Sequence, residues 1–328
     1  MIVGFLGAGS WGITLANLLV KKGVKTVLWE HREERCKKLK ETRRDEARFG
    51  DFTFPEEMDF TSHMEDVLES DLLVFAVPSQ TVRETAKKVK KYTYPRRILS
   101  VVKGIEISTL KRISEVITEE LGDVEVSVLS GPSIAREVLR ELPTSVVVAS
   151  ENIGFAEEIQ KLFNTHRFRV YRWFDVKGVE LGGALKNVIA IAAGAVDSLK
   201  LGANAKGALI TRGIAEITRL GLALGADVRT FAGLSGIGDL ITTCFSKHSR
   251  NRYVGEKLGE GYKIKEILES MIEVAEGVYT TEAAFKLSRK YEVSMPITEA
   301  VYRILHNEFT PMEALDWLMS RELKLEHY

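Results

Sequence analysis

The stretch IVGFLGAGSWGITLANLL, residues 2–19, decides the fold, because it places a glycine-rich turn between a predicted strand and a predicted helix. Its glycines Gly7, Gly9 and Gly12 follow the GxGxxG spacing. In this context Gly7 permits a tight turn, Gly9 lets a pyrophosphate approach the backbone, and Gly12 lets the helix pack on the strand. The stretch predicts a dinucleotide-binding βαβ unit, and the alternative is a glycine turn that serves packing alone.

The following residues extend this unit by alternating short β-branched runs with helical segments. The runs are TVLWE, DLLVFAVPS, RILSVVKG, VEVSVLSGPS, TSVVVAS and FRVYRW. This alternation predicts an α/β fold with a Rossmann-like, doubly wound, mostly parallel sheet. Strand signals stop after Trp173, and Ala-rich helical runs follow. We therefore expect a dinucleotide-binding domain over residues 1–175 and an all-helical substrate domain over residues 176–328.

Composition narrows the class of protein. The chain has 328 residues, 45% of them hydrophobic, with 46 Lys and Arg against 46 Asp and Glu. The balanced charge gives no field that would draw the chain onto nucleic acid or anionic lipid. Two separate cysteines, Cys36 and Cys244, and scattered histidines predict neither a disulfide nor a metal site. Because the first strand starts at Ile2 and no apolar run looks long and charge-free enough to cross a bilayer, we expect a cytoplasmic protein.

The choice between NAD and NADP rests on three residues at the end of the second predicted strand. Glu30 lies about 20 residues after the glycine turn, where a carboxylate accepts hydrogen bonds from ribose hydroxyls and disfavours a 2′-phosphate. The adjacent His31 and Arg32 could pair with that same phosphate. The two signals conflict, so both cofactors stay open.

Two strand ends carry candidate ligand contacts. Lys103 follows a predicted strand, at the edge where open α/β sheets bind ligands, although a solvated lysine is the alternative. In SGPSIA, Gly131 and Ser133 end another strand and could face a ligand. Ser133 could also cap the helix that follows.

A second glycine-rich turn precedes Asp239, and a helix is predicted to start at Ser249 with Arg250 and Asn251 in its first turn. A cation there opposes the helix dipole unless an anion shares the site, so the pattern suits phosphate. The alternative is an ion pair between Arg250 and a nearby carboxylate such as Asp239. Thr243, four residues after Asp239, would lie on the same helical face and add a hydroxyl.

Lys186 lies inside VELGGALKNVIAIAAGAV, residues 179–196, which reads as a buried helix. Its neighbours three and four positions away are small or apolar: Gly182, Gly183, Ile189 and Ala190. Small residues let backbone or a ligand approach, so Lys186 is expected in a partly desolvated space, with Asn187 donating an amide hydrogen bond nearby. The alternative is a lysine that snorkels from the helix edge.

These motifs resemble the bacterial-type NAD(P)-dependent glycerol-3-phosphate dehydrogenases. The match covers nearly the whole chain and runs through GAGSWG, VVKG, SGPS, LGGALKNVIAIAAG, GANAKGALITRG, GIGDLITTC, SRNR, VAEG and MPIT, in that order. The resemblance implies reversible hydride transfer between NAD(P)H and dihydroxyacetone phosphate to give sn-glycerol 3-phosphate, which supplies the backbone for phospholipid biosynthesis. Family members are often homodimers, and they often carry a small or neutral residue where this chain has Glu30.

The resemblance also implies residue roles, with Lys186 as the catalytic lysine beside Lys103 and Asp239. Together with the residues from the motifs, the predicted substrate site comprises Lys103, Gly131, Ser133, Asn187, Asp239, Thr243, Ser249, Arg250 and Asn251. The predicted cofactor site comprises Gly7, Gly9, Ser10, Trp11, Gly12, Glu30, His31, Arg32, Lys103, Ala135, Arg250, Val274 and Glu276. For proton exchange, the pKa of Lys186 must fall toward working pH through burial and Lys103, and Asp239 would oppose that fall.

Two other functions are compatible with the architecture. A related two-domain hydroxyacid or sugar-acid dehydrogenase, such as one acting on 6-phosphogluconate, would share the fold, but GIGDL and the SRN triplet argue against it. A redox-sensing regulator would bind NAD(P)H without chemistry. Such a sensor has no need for Lys186, Lys103 and Asp239 at a cleft.

Overall fold

A computed structural model describes residues 1–93, 95–323 and 325–326, and its N-terminal part is an eight-stranded sheet. The strand order is β3-β2-β1-β4-β5-β6-β7-β8. Only β6 and β7 pair antiparallel, so the predicted mostly parallel sheet is confirmed. The strands are β1 Ile2–Leu6, β2 Lys25–Trp29, β3 Met58–Thr61, β4 Leu72–Phe75, β5 Arg97–Ser100, β6 Glu125–Ser130, β7 Thr144–Ser150 and β8 Phe168–Trp173.

Helices connect the strands and then form the rest of the described chain. Those between the strands are α1 Ser10–Val20, α2 Glu33–Thr42, α3 Glu46–Phe49, α4 Glu65–Leu68, α5 Val82–Lys90, α6 Ile113–Leu121, α7 Ala135–Leu139 and α8 Ile153–Phe163. Those after the sheet are α9 Val176–Ser198, α10 Gly202–Ala223, α11 Val228–Phe231, α12 Asp239–Phe245, α13 Arg250–Gly259, α14 Ile264–Ser270, α15 Glu276–Lys290, α16 Pro296–Leu305 and α17 Pro311–Met319. Short 3-10 and π-type turns cover Ser79–Thr81 and Leu234–Gly238.

The glycine turn between β1 and α1 has the geometry that its sequence predicts. Gly7 has φ +117°, and a Cβ placed on it would lie 2.7 Å from the Ala76 carbonyl oxygen. A Cβ on Gly12 would lie 2.4 Å from the Gly7 oxygen, so both positions exclude a side chain. The space above Gly9 is open, with nothing within 4 Å of its Cβ position. The turn is closed on the protein side and free on the other, which fits a bound pyrophosphate.

The edge strand β3 was missed by the sequence interpretation, which placed one helix between the second and third runs. Met58 and Phe60 are buried and Asp59 is exposed. This strand is four residues long, and its Asp59 interrupts the apolar run on which the prediction relied. An edge strand with one solvent-exposed face shows only this short alternation of apolar and polar residues.

Helix α9 is the centre of the helical part and packs against α10, α12, α13, α15 and β6. By length and composition it could cross a membrane, because an 18-residue window within it has a mean hydropathy of 1.5, so the expectation that no run qualifies was wrong. In this structure 83% of that 18-residue window is buried within the protein. Its Ala, Gly and Ile content serves close packing among helices.

A buried carboxylate joins α10 to the start of α16. Glu216 is 1% exposed and accepts hydrogen bonds from the backbone N–H of Ile297 at 2.7 Å and of Thr298 at 3.1 Å. Burial raises the pKa of Glu216 to about 7, although these donors and Arg219 favour the charged form. The folded protein therefore holds this proton more tightly than the unfolded chain does.

We predict that Glu216 lowers the free energy of unfolding as pH rises. Because the pKa of Glu216 in the folded protein lies above its value in the unfolded chain, this loss of stability is absent below the unfolded pKa and complete above about 7. Glu216→Gln mimics the protonated acid. Chemical denaturation should show the free energy of unfolding of the native protein falling relative to the variant between about pH 5 and about pH 8. A constant difference over that interval would contradict the assignment.

Candidate active site

Asp239 lies at the centre of the candidate site, where it accepts hydrogen bonds from two lysines. It is the first residue of α12 and is 1% exposed. Its Oδ2 accepts from Lys103 Nζ at 2.6 Å, and its Oδ1 accepts from Lys186 Nζ at 2.8 Å. Lys186 Nζ also donates to Thr243 Oγ1 at 2.5 Å. One carboxylate thus joins the end of β5, the middle of α9 and the first turns of α12.

The electrostatics of this cluster set the proton affinity of Lys186. Burial lowers the pKa of Lys186 to about 8, Asp239 acts in the opposite direction, and the charge of Lys103 lowers it further. Burial raises the pKa of Asp239, but Lys103 and Lys186 outweigh burial and the net pKa is lowered. A carboxylate held between two cations stays charged, while a lysine with a pKa near 8 exchanges its proton at working pH.

The cluster can form because α9 carries glycines, Gly182 and Gly183, on the face that meets it. A Cβ on Gly183 would lie 2.5 Å from Ser130 Oγ at the end of β6, and one on Gly182 would lie 2.6 Å from the Ser235 carbonyl oxygen. The helix therefore lies directly against the strand ends and against the turn before α12. Lys186 is 6% exposed, so it is buried as expected and does not snorkel.

The loop after β6 completes the environment of Lys103. Lys103 Nζ donates to the Gly131 carbonyl oxygen at 3.0 Å and to Ser133 Oγ at 3.2 Å. Ser133 Oγ in turn donates to the Gly131 oxygen at 2.8 Å. The alternative in which Ser133 caps α7 was wrong, because Ile134 occupies the N-cap and, among the described residues, no side chain caps this helix. The hydroxyl faces the lysine cluster instead.

The start of α13 carries three more predicted residues. Ser249 is the N-cap, as expected, and accepts from the Arg252 backbone N–H at 3.1 Å. Arg250 Nη1 donates to the Val274 carbonyl oxygen at 2.9 Å, which joins a predicted substrate contact to a predicted cofactor contact. Arg250 does not pair with Asp239, whose two oxygens accept from the lysines. The nearby carboxylates on which its charge acts are Glu273 and Glu276, where it favours the charged form.

Asn251 braces the site rather than pointing a free amide into it. Its Nδ2 donates to Asn187 Oδ1 at 2.8 Å, and its Oδ1 accepts from the Gly277 backbone N–H at 2.8 Å. Its amide thus ties α13 to α9 and α15. Asn187 is 96% buried from solvent by the same packing, with 4% exposure.

The cofactor side of the cleft is formed by the start of α1 and the loop before α15. Ser10 Oγ donates to Glu273 Oε1 at 2.5 Å, and the buried Trp11 Nε1 has no partner within the described residues. Glu276 accepts from the backbone N–H of Ser79 at 2.8 Å and from its hydroxyl. Ala135 is the first residue of α7. Glu273 and Ser79 were missed because only the fold brings them to the cleft.

At the end of β2, Glu30, which favours NAD, lies next to His31 and Arg32, which favour NADP. Glu30 is 3% exposed, and its Oε1 accepts from the backbone N–H of Arg32 at 3.1 Å and from Arg32 Nε at 3.0 Å. Arg35, which the sequence interpretation missed, binds its other oxygen. Burial raises the pKa of Glu30, but Arg35 and Arg32 outweigh burial, so the net pKa is lowered. His31 lies beside the same carboxylate and is exposed.

Cys244 lies near the cluster, but its thiol is unreactive. It is fully buried, and burial raises the pKa of its thiol to about 12, so the thiol stays protonated. Among the described residues, no group of three or more His, Cys, Asp or Glu side chains could hold a metal ion.

Comparison with known proteins gives consistent matches over the whole chain. The N-terminal and C-terminal family profiles of NAD-dependent glycerol-3-phosphate dehydrogenase match residues 2–156 and 175–316. A glycerol-3-phosphate dehydrogenase (NAD(P)+) of Chlorobium phaeobacteroides is 48% identical over 100% of both chains. One from Geobacter sulfurreducens is 47% identical over 99% of both. The crystal structure of glycerol-3-phosphate dehydrogenase from Coxiella burnetii superposes with a TM-score of 0.94 at 38% identity, covering 98% of this chain and 99% of that one.

Glu30 gives a test of cofactor discrimination. Glu30→Gln removes the charge that holds Arg32 and Arg35 and leaves a weaker acceptor for a ribose hydroxyl. We expect the ratio of kcat/KM with NADPH to that with NADH to rise by about tenfold, which corresponds to about 1.4 kcal/mol. Glu33→Gln, three residues later on the exposed side of α2, is the control. A ratio that is unchanged or lower in Glu30→Gln would contradict this role.

Proposed function

The chain belongs to the family of NAD-dependent glycerol-3-phosphate dehydrogenases, and we propose that Lys186 is the group that exchanges a proton with the substrate. The protein is an NAD(P)-dependent oxidoreductase that interconverts dihydroxyacetone phosphate and sn-glycerol 3-phosphate. The observation that carries the proposal is a buried lysine with a pKa of about 8, held by Asp239 and Thr243.

In the reductive direction, Lys186 acts at the substrate carbonyl oxygen. The nicotinamide cofactor, when bound, supplies the hydride to C2. Negative charge grows on the C2 oxygen, and the Lys186 ammonium donates a hydrogen bond and then its proton there. A cation fixed in a low-dielectric cleft stabilises the transition state more than the ground state. In the oxidative direction the neutral amine accepts the C2 hydroxyl proton.

Asp239 and Lys103 tune and orient Lys186. The Asp239 carboxylate points the ammonium toward the cleft and keeps its pKa from falling further. Lys103 balances that carboxylate, and its contacts with Gly131 and Ser133 support a role for it beside the substrate. Two lysines against one carboxylate leave a net positive charge, which favours an anionic substrate.

The start of α13 is the proposed phosphate site. Free backbone N–H groups of its first turn and the Arg250 guanidinium suit a phosphate dianion. Asn251 and Asn187 connect this turn to the helix that carries Lys186. Binding at the phosphate thus positions C2, so the phosphate-free analogue should lose turnover and not only affinity.

The cofactor is proposed to lie along the β1–α1 turn, with its pyrophosphate at Ser10 and its ribose end at Glu30. The closed glycine turn and the open space above Gly9 support this placement. Val274 in the loop before α15 and Glu276 at the start of α15 would close over the nicotinamide end. Further proposed contacts are Trp11, His31, Arg32 and Ala135.

The wider assignment is proposed on family grounds and on the chain's composition. We assign residues 1–175 to the cofactor domain and 176–328 to the substrate domain, supported by β8 ending at Trp173 and α9 beginning at Val176. Residue 94 of the first range and residues 324, 327 and 328 of the second lie outside the described residues. A cytoplasmic homodimer that binds neither nucleic acid nor membrane fits the balanced charge and the burial of α9.

The first test is oxidation of NADH and of NADPH with dihydroxyacetone phosphate as the sole acceptor. Lys186→Ala should lower kcat by about a thousandfold or more, equivalent to about 4 kcal/mol of transition-state stabilisation, and leave the Kd for NADH unchanged. Lys177→Ala, in the first turn of the same helix, is the matched control. Near-normal turnover in Lys186→Ala would remove the proton-transfer assignment. No oxidation by the native protein would remove the reaction itself.

A further inference from the structure

A second charged cluster lies at the C-terminal end of α9, where Asp197 follows Lys186 by eleven residues. Asp197 Oδ2 accepts a hydrogen bond from Arg252 Nε at 2.8 Å and lies 2.8 Å from Arg252 Nη2. Both Asp197 oxygens accept from Lys206 Nζ, at 2.9 and 2.7 Å. Arg252 Nη2 also lies 2.6 Å from Glu256 Oε1. The proposed chemistry uses none of these four residues.

The cluster sits where two helices touch through their backbones. A Cβ on Gly194 of α9 would lie 1.9 Å from the Arg252 carbonyl oxygen, and one on Gly255 of α13 would lie 1.8 Å from the Ile191 carbonyl oxygen. No side chain fits between the helices at these points. Close approach through glycines brings α13 near Lys186, and apolar side chains of both helices, Val188, Ile191, Val254 and Leu258, pack beside this contact.

The Asp197–Arg252 pair adds a charged anchor at the C-terminal end of α9 to this packing and to the Asn251–Asn187 hydrogen bond. Arg252 follows Ser249, Arg250 and Asn251 directly, so fixing its side chain fixes the turn proposed to hold the phosphate. The side chains of Arg252 and Lys206 are each 11% exposed, and that of Asp197 is 24% exposed. Partly buried ion pairs with two donor nitrogens on one carboxylate hold geometry more firmly than surface pairs do.

The same cluster reaches the helix that carries Asp239. Lys206 Nζ lies 4.4 Å from the centroid of the Phe245 ring, and Phe245 is the last residue of α12. A cation at this distance from an aromatic face is attracted to it. Asp197 is therefore connected to α13 through Arg252 and to α12 through Lys206.

We propose that Asp197 is a positioning residue for the substrate phosphate: through Arg252 it holds the first turn of α13 at a fixed place relative to Lys186. It touches neither substrate nor cofactor. The inference rests on the proposed phosphate site at α13 and extends it to a residue that no motif singled out. Displacing a binding turn by about an ångström can cost about a hundredfold in rate, so the effect is measurable.

The test compares a phosphorylated and an unphosphorylated substrate. In Asp197→Asn the carboxylate charge is lost and two neighbouring cations repel each other, so the α13 turn moves. We expect kcat/KM for dihydroxyacetone phosphate to fall by about 10- to 100-fold. The kcat/KM for dihydroxyacetone, measured at saturating NADH, should stay within about twofold, because a substrate without a phosphate makes no use of the phosphate turn. Glu260→Gln, at the exposed far end of α13, is the matched control.

Arg252→Lys is the second variant, and it carries the test if Asp197→Asn does not fold. It keeps the positive charge and loses the two-nitrogen fork, so a smaller loss confined to the phosphorylated substrate is expected. Equal losses with both substrates, or no loss with either, would overturn the positioning role. A native enzyme that treats the two substrates alike would instead overturn the phosphate site, and this inference with it.

Discussion

The contact on which the active site depends is one buried carboxylate, Asp239, that accepts hydrogen bonds from two lysines. A lone lysine at this depth would lose its proton, and a lone carboxylate would gain one. Together they leave Asp239 charged and Lys186 with a pKa near 8. The enzyme needs this intermediate value, because the same nitrogen must donate a proton in one direction and accept it in the other.

Close packing by glycine makes that contact possible. Helix α9 carries no side chain at Gly182 and Gly183, so the turn before α12 and the end of β6 lie against its backbone. Toward its other end, Gly194 admits α13 in the same way. Two surfaces of α9 thus position the catalytic lysine and the proposed phosphate site. The ion pairs of Asp239 and Asp197 hold α12 and α13 against these surfaces.

Local patterns in the sequence predicted much of this arrangement. The spacing of Gly7, Gly9 and Gly12 identifies the first βαβ unit because all its requirements lie within one turn. The glycines near Lys186 indicated a buried lysine for a similar reason. Asp59 hid the edge strand, and Ser133 has the composition of a helix cap although Lys103, distant in sequence, binds it instead. Arg35 and Glu273 could not be identified, since each acquires its partner only when separate elements pack together.

The most direct test of the account is the pKa of Lys186 itself, measured by NMR titration of the lysine side-chain signals in the native protein and in Asp239→Asn. The assignment of the signal comes from its absence in Lys186→Ala. Desolvation balanced by Asp239 predicts a pKa of about 8 in the native protein and a lower one when the carboxylate charge is removed. A native pKa near the ordinary value of 10.5, or a rise in Asp239→Asn, would contradict the account.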